Sequence, residues 1–177
     1  MKIGIVKKQN QARYCIVCGV ENPFGLHAKF YNLEDGGLVG LCTADPLHQS
    51  YPGRVHGGVI SALLDEAIGR VIQVSEPETW AVTTRMQVRF RKPVPYGEKL
   101  MLTSYLTKNG RRLFSAEGKL YLEDGTLAAE ATGEYMKLPL SSISEMDEHG
   151  KDWMYYPDDV QPEWIDIPDD AKPMGER

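Results

Sequence analysis

No stretch of this sequence approaches the roughly 18 uninterrupted apolar residues that a membrane-spanning helix requires. The opening MKIGIVKKQNQARY likewise lacks the apolar core of a secretory signal. Neither a bilayer-embedded nor an exported protein is expected, and the sequence reads as soluble and cytoplasmic. Cysteine is scarce as well. The three thiols, Cys15, Cys18 and Cys42, cannot all pair within one chain, and 177 residues can hold a core without covalent staples, so reduced cysteines are expected. Internal repeats are absent, which excludes solenoids and propellers. No helix-turn-helix pattern precedes the main apolar segments, and a net charge of −5 argues against general nucleic-acid affinity.

What is present is unevenly charged. Residues 141–177 carry 11 acidic against 3 basic residues, leaving 14 acidic and 17 basic in residues 1–140. A mildly basic body with an acidic tail suits a small polyanionic ligand better than a nucleic acid. The apolar fraction of 42% fits one domain. The chain divides into a lead-in at 1–25, a main domain at 26–140, and an acidic, aromatic-containing extension at 141–177. Trp153, Tyr155, Tyr156 and Trp164 are too aromatic for a purely solvating tail, so the extension is expected to dock on the body or on a partner subunit.

Within the main domain, the apolar runs 26–33 and 38–43 flank Asp35-Gly36-Gly37, which is hairpin-turn chemistry. Residues 59–74 then predict a helix of about four turns whose apolar residues cover most of its circumference, so that it must be surrounded by protein. From Val82 the period changes to two. Val82, Thr84, Met86, Val88 and Phe90 are expected to face the core, and Thr83, Arg85, Gln87, Arg89 and Arg91 the other side. Further strands are predicted at 99–107, 112–122 and 127–138, separated by Pro- or Gly-containing turns too short for crossover helices. The strands should therefore be antiparallel, and one buried helix against them makes an α+β architecture.

The run Tyr51-Pro52-Gly53-Arg54-Val55-His56-Gly57-Gly58-Val59-Ile60-Ser61-Ala62-Leu63-Leu64-Asp65-Glu66 resembles the signature of hotdog-fold acyl-CoA thioesterases of the phenylacetate-degradation (PaaI) type. The segment Thr83 to Pro95, ending Arg91-Lys92-Pro93-Val94-Pro95 before Gly97-Glu98, resembles that family's first long strand after the helix. The resemblance covers about residues 24–138. It implies a long helix wrapped by a curved antiparallel sheet of five to six strands. It also implies two subunits joined edge to edge, as a homodimer or a dimer of dimers, with paired sites at the interface. The implied activity is hydrolysis of acyl-CoA to free acid and CoA, with no cofactor other than the CoA of the substrate and no metal.

Thioester hydrolysis needs an oxyanion donor, a group that attacks or activates water, and a hold on the carbonyl. Gly57 and Gly58 stand where the helix begins, and without Cβ atoms they let a substrate approach free N–H groups at the positive end of the dipole. Asp65 interrupts an apolar helix, where an unpaired carboxylate is costly and so asks for a function. The resemblance implies that it is nucleophile or general base. Salt-bridging to Arg70 is the structural alternative, and Glu66 the competing carboxylate with a solvent-facing or structural role. By resemblance His56 orients the thioester, its partner Asp65 coming from the other subunit. Gln49 or Ser50 stands where an amide helps position carbonyl or water, Ser50 occupying a place where some members carry Asn, and Thr83 where a hydroxyl does so.

Arg89, Arg91 and Lys92 at one strand end, with Lys108, Arg111 and Arg112 at an Asn-Gly turn, are candidate contacts for CoA phosphates. Val59 joins the candidate substrate contacts. Cys15-x-x-Cys18 begins like a zinc site, but no second pair follows; His27, Cys42 or His48 would have to complete it, and a reduced structural turn is favoured. Two further readings remain open: a non-catalytic acyl-CoA-binding protein, and a hotdog hydratase or dehydratase acting on enoyl or hydroxyacyl thioesters.

Overall fold

The structure is a computed structural model describing residues 1–145 and 152–172. Its centre is helix α1, Gly57–Arg70, followed after Val71 by the short α2, Ile72–Ser75. Ile60, Leu63, Leu64, Ala67 and Ile68 are buried at spacings of three and four, and Val71 and Ile72 extend the same apolar surface. Eight strands form one sheet around it. In chain order they are β1 (Lys2–Lys8), β3 (Lys29–Leu33), β4 (Leu38–Thr43), β5 (Ala81–Phe90), β6 (Lys99–Asn109), β7 (Leu113–Tyr121), β8 (Leu127–Lys137) and β10 (Trp164–Asp166). The order across the sheet is β10-β1-β3-β4-β6-β7-β8-β5, and every neighbouring pair is antiparallel. Two-residue strands β2 (Gln11–Ala12) and β9 (Trp153–Met154) pair separately.

The main core lies between α1 and the sheet, with Phe30, Leu38, Leu102, Phe114, Leu120 and Tyr135 meeting the helix residues. A smaller cluster covers the other sheet face, where Ile167 and Ala171 of the extension pack on Ile3, Tyr31, Leu33, Val39 and Tyr121. The turns follow the sequence: Gly36 and Gly125 adopt φ of 85° and 82°, in the left-handed region that glycine enters freely.

Two features depart from the sequence reading. The sheet has eight strands, because residues 2–8 of the lead-in and 164–166 of the extension add β1 and β10 to the predicted set. The core-facing row expected on β5 is only half-buried at Val82, Met86 and Val88, while Thr84 and Phe90 are exposed. The physical reason is position. Among the described residues β5 is the last strand of the sheet, paired only with β8, and a bulge between Thr83 and Arg85 shifts its register.

Candidate active site

Asp65 sits two turns into α1, half-buried, where the helix crosses β5 and β8. Thr83 and Tyr135 are cross-strand partners on those strands, and both reach up to the same carboxylate oxygen. Thr83 Oγ1 donates to Asp65 Oδ1 at 2.8 Å, and the Tyr135 hydroxyl donates to Oδ1 at 2.8 Å, with the Asp65 carbonyl a further acceptor at 3.0 Å. No described residue donates to Oδ2. The carboxylate is thus fixed through one oxygen, and Asp65 lines a cavity of about 200 Å³ together with Gln73, Trp80, Thr83, Tyr135 and Trp153. Burial, then the Asp65 charge and hydrogen bond, push the Tyr135 phenol far above its ordinary value, so it remains a donor.

Packing holds Tyr135 in place. Its ring stacks on Phe114 with centroids 5.0 Å apart and planes 10° from parallel. Gly133 leaves it room, for a Cβ there would lie 2.6 Å from the Tyr135 ring and 3.2 Å from Ile68. Gly133→Ala is expected to cost about 2 kcal/mol, lowering the melting temperature by roughly 5 °C in calorimetry, because ring and helix must both shift.

The helix N-terminus holds the second group of predicted residues. His56 is the N-cap: its Nδ1 accepts the Gly58 N–H at 2.8 Å, which places the proton of the neutral ring on Nε2. That contact engages one of the two N–H groups the sequence offered as oxyanion donors. The Gly57 N–H has no acceptor among the described residues and lies at the positive end of α1. The preceding loop is pinned by His56 N–H to His48 O and Val55 N–H to Val94 O. Gln49 forms an isolated bridge with Val55, and both Gln49 and Ser50 are exposed. Ser50, Tyr51, Val55, Gly57, Ile60 and Phe90 line a cavity of about 500 Å³ whose rim carries Arg54, Arg91 and Lys92. Val59 packs partly against the core.

Within one chain these two groups are apart. Nine residues of helix separate His56 from Asp65, about 13 Å along the axis. The basic residues split the same way. Arg89, Arg91 and Lys92 lie at the Phe90 end of β5, opposite Ala129, whereas Arg111 and Arg112 precede Leu113, which pairs with Met136 near the Ala81 end. At about 3.4 Å per residue the two clusters are some 25 Å apart. Arg91 is also paired with Glu130.

The other helix carboxylate has a different setting. Arg70 donates from Nε to Glu66 Oε1 at 2.8 Å, so the arginine pairs with Glu66 and leaves Asp65 to Thr83 and Tyr135. Buried Arg70 also donates to Cys18 Sγ at 2.9 Å and lies between the rings of Phe30 and Trp153, at 4.7 and 4.5 Å. None of the suggested completions of Cys15 and Cys18 joins them. His27 Nδ1 contacts Gly19 O, His48 Nε2 contacts Phe24 O, and Cys42 is on β4, its thiol pushed up to about 12 by burial. Tyr135 and Trp80 escaped the sequence reading, and Trp153, expected to dock the extension, was not placed at this site. Tyr135 occupies an inward position of an alternating strand and reads as core; only the register between β5 and β8 reveals it.

Comparison with known proteins bears on the family and the fold. Residues 52–129 match the thioesterase superfamily model. Bovine acyl-coenzyme A thioesterase THEM4 is 30% identical over 122 residues, which are 68% of this chain and 49% of that protein. The chain spans about half the length of the curated relatives it matches. A solved thioesterase superfamily protein aligns with a TM-score of 0.64 at 29% identity, covering 70% of this chain and 63% of that one. The PaaI protein of the E. coli phenylacetic acid degradation operon aligns at 0.59 with 18% identity, over 64% and 80% of the two chains. Residues 52–129 thus match the thioesterase superfamily, and the chain carries the hotdog fold.

Proposed function

We propose that this protein hydrolyses acyl-CoA thioesters to the free acid and CoA, with Asp65 as nucleophile or general base. The observation that carries the reading is the geometry of that carboxylate: Oδ1 is held by Thr83 and Tyr135, Oδ2 accepts from none of the described residues, and Asp65 lines a cavity beside the helix. Oδ2 either attacks the thioester carbonyl carbon, breaking the C–S bond, expelling CoA thiolate and leaving an anhydride that water then hydrolyses, or takes a proton from the water that attacks, the C–S bond breaking and that proton passing to the departing CoA sulfur. The Gly57 N–H, at the dipole's positive end, receives the developing oxyanion. The chemistry uses no cofactor beyond the CoA of the substrate.

Since α1 separates these two groups by about 13 Å, one carbonyl meets both only where two chains meet. The free edge of β5 supplies the junction. Two copies pairing antiparallel along it set the Phe90 end of one, with its His56 and Gly57, against the Thr83 end of the other, with its Asp65. Tyr51, 77% exposed, and Phe90, 54% exposed, lie at that end of the free edge. The basic rim of Arg54, Arg91 and Lys92 then faces the phosphates of CoA, and the small cavity lined by Trp80 and Trp153 accommodates a medium-sized or aromatic acyl group.

Thiol release from short, medium, long and aromatic acyl-CoAs tests the reading, with light scattering for the assembly. Turnover of at least one class by a species of twice the chain mass is expected. CoA binding without thiol release would establish the non-catalytic binder instead, and hydration of a crotonyl thioester the hydratase.

A further inference from the structure

Behind the Asp65 cavity, Cys15, Cys18 and Glu66 converge and take no part in the proposed hydrolysis. One ligand atom from each lies within 4.8 Å of the others. Cys15 Sγ is 3.8 Å from Glu66 Oε2 and 4.0 Å from Oε1. Around tetrahedral zinc, with Zn–S and Zn–O bonds of about 2.3 and 2.0 Å, sulfur and oxygen ligands stand about 3.5 Å apart. Cys15 and Glu66 are therefore within about 0.3 Å of that spacing, and Cys18 lies within 4.8 Å of both, near enough for side-chain rotation to close the set.

The chain around them orients the sulfurs. Val17 N–H points at Cys15 Sγ at 3.3 Å and Ala12 N–H at Cys18 Sγ at 3.5 Å, the kind of outer contact that holds a metal-bound thiolate. The turn is closed by Gly19 N–H to Cys15 O at 2.9 Å, and it admits only glycine there, since a Cβ would lie 2.3 Å from that oxygen.

Charge supplies the second argument. Two thiolates and the Glu66 carboxylate carry three negative charges, and Arg70, bonded to Cys18 and Glu66, supplies one positive charge. Without metal the thiols are protonated and Arg70 balances Glu66; a divalent cation that replaces the two thiol protons keeps the cluster neutral, so that binding buries no net charge. Two thiolates select a soft cation over magnesium or calcium. Cys15 and Glu66 are only half-buried, which leaves a way in.

We propose that Cys15, Cys18 and Glu66 bind one divalent cation of the zinc class, with a fourth position open to water. Binding displaces the two thiol protons to solvent and leaves Arg70 as an outer partner of Cys18 and Glu66. The site joins the lead-in to α1 and steadies Arg70 under Trp153; it does not depend on the hydrolase reading.

The full chain, reduced and loaded with Zn²⁺, is desalted and its metal measured. About one equivalent is expected, and Co²⁺ in its place should give a thiolate-to-cobalt charge-transfer band. Cys15→Ser, at a half-buried position that tolerates the change, should lose both signals. Glu66→Gln should keep the band and weaken binding on the order of tenfold or more, and Cys42→Ser should change neither. Less than a tenth of an equivalent in the wild type, or full retention in Cys15→Ser, overturns the assignment.

Discussion

Asp65→Asn is expected to lower thiol release by about a thousandfold or more while leaving the fold intact. The asparagine carbonyl can still accept from Thr83 and Tyr135, so the helix, the strand pair and the cavity keep their arrangement. What disappears is the free anionic oxygen. Loss of a positioned base or nucleophile typically removes 10²–10⁴ of the rate, about 4 kcal/mol at the middle of that range. Thr83→Val, which removes one donor but not the carboxylate, should cost only about tenfold. The kinetics are read on the acyl-CoA that the wild type turns over fastest, with near-ultraviolet circular dichroism as the check on folding. A variant that folds and retains more than a tenth of the wild-type rate would show that Asp65 neither attacks nor activates water.

Much of this site could be read before any coordinates, for a local reason. His56, Gly57, Gly58 and Asp65 belong to one cap and one helix, so their relative placement follows from helical geometry once the helix is recognised. Thr83 opens the strand after it. The helix itself and strands β3 to β8 were legible because each carries its period over many residues. The remainder depends on contacts distant in sequence. Tyr135 reaches Asp65 only through the pairing of β8 with β5, 52 positions from Thr83. Strand β1 hides behind its composition: Ile3 is its one buried apolar side chain, while Lys8, a residue that periodicity assigns to solvent, is buried. A lysine can be buried there only because an aspartate from the other end of the chain meets it, and the sequence gives no hint of that pairing. Glu66 shows the same limit: its partner Arg70 is four residues away, but the cysteines it approaches are about fifty positions back.

The pair that buries Lys8 sets the second large expectation. Lys8 Nζ meets Asp158 Oδ1 at 2.9 Å, with the two side chains 2% and 6% exposed. Asp158 also accepts from Lys29 at 2.7 Å and from the Tyr31 hydroxyl at 2.6 Å, and Lys8 donates to Tyr156 O at 2.7 Å. Asp158→Ala leaves a buried ammonium without its counter-charge, which should cost about 3 kcal/mol or more. In a domain stabilised by some 5–15 kcal/mol that is a large fraction.

The loss is expected to appear first as detachment of residues 152–172, because β9, β10, Ile167 and Ala171 hold to the body by short pairings and one small apolar cluster. Hydrogen exchange should therefore quicken across 152–172 and β1 well before it does in α1, and Trp153 should leave the Asp65 cavity. The pH dependence has a definite sign. Burial alone would raise the Asp158 carboxyl, but hydrogen bonds from Lys29, Tyr31 and Lys8 outweigh it and hold the group at about 2, against an ordinary 3.8. A depressed carboxylate contributes fully above its unfolded value and loses that contribution as pH falls through the folded one. Wild type and Asp158→Ala should thus differ most above about pH 4 and converge toward pH 2. Equal exchange rates in the extension of the two proteins at neutral pH would mean that the aromatic and strand contacts hold it without the ion pair.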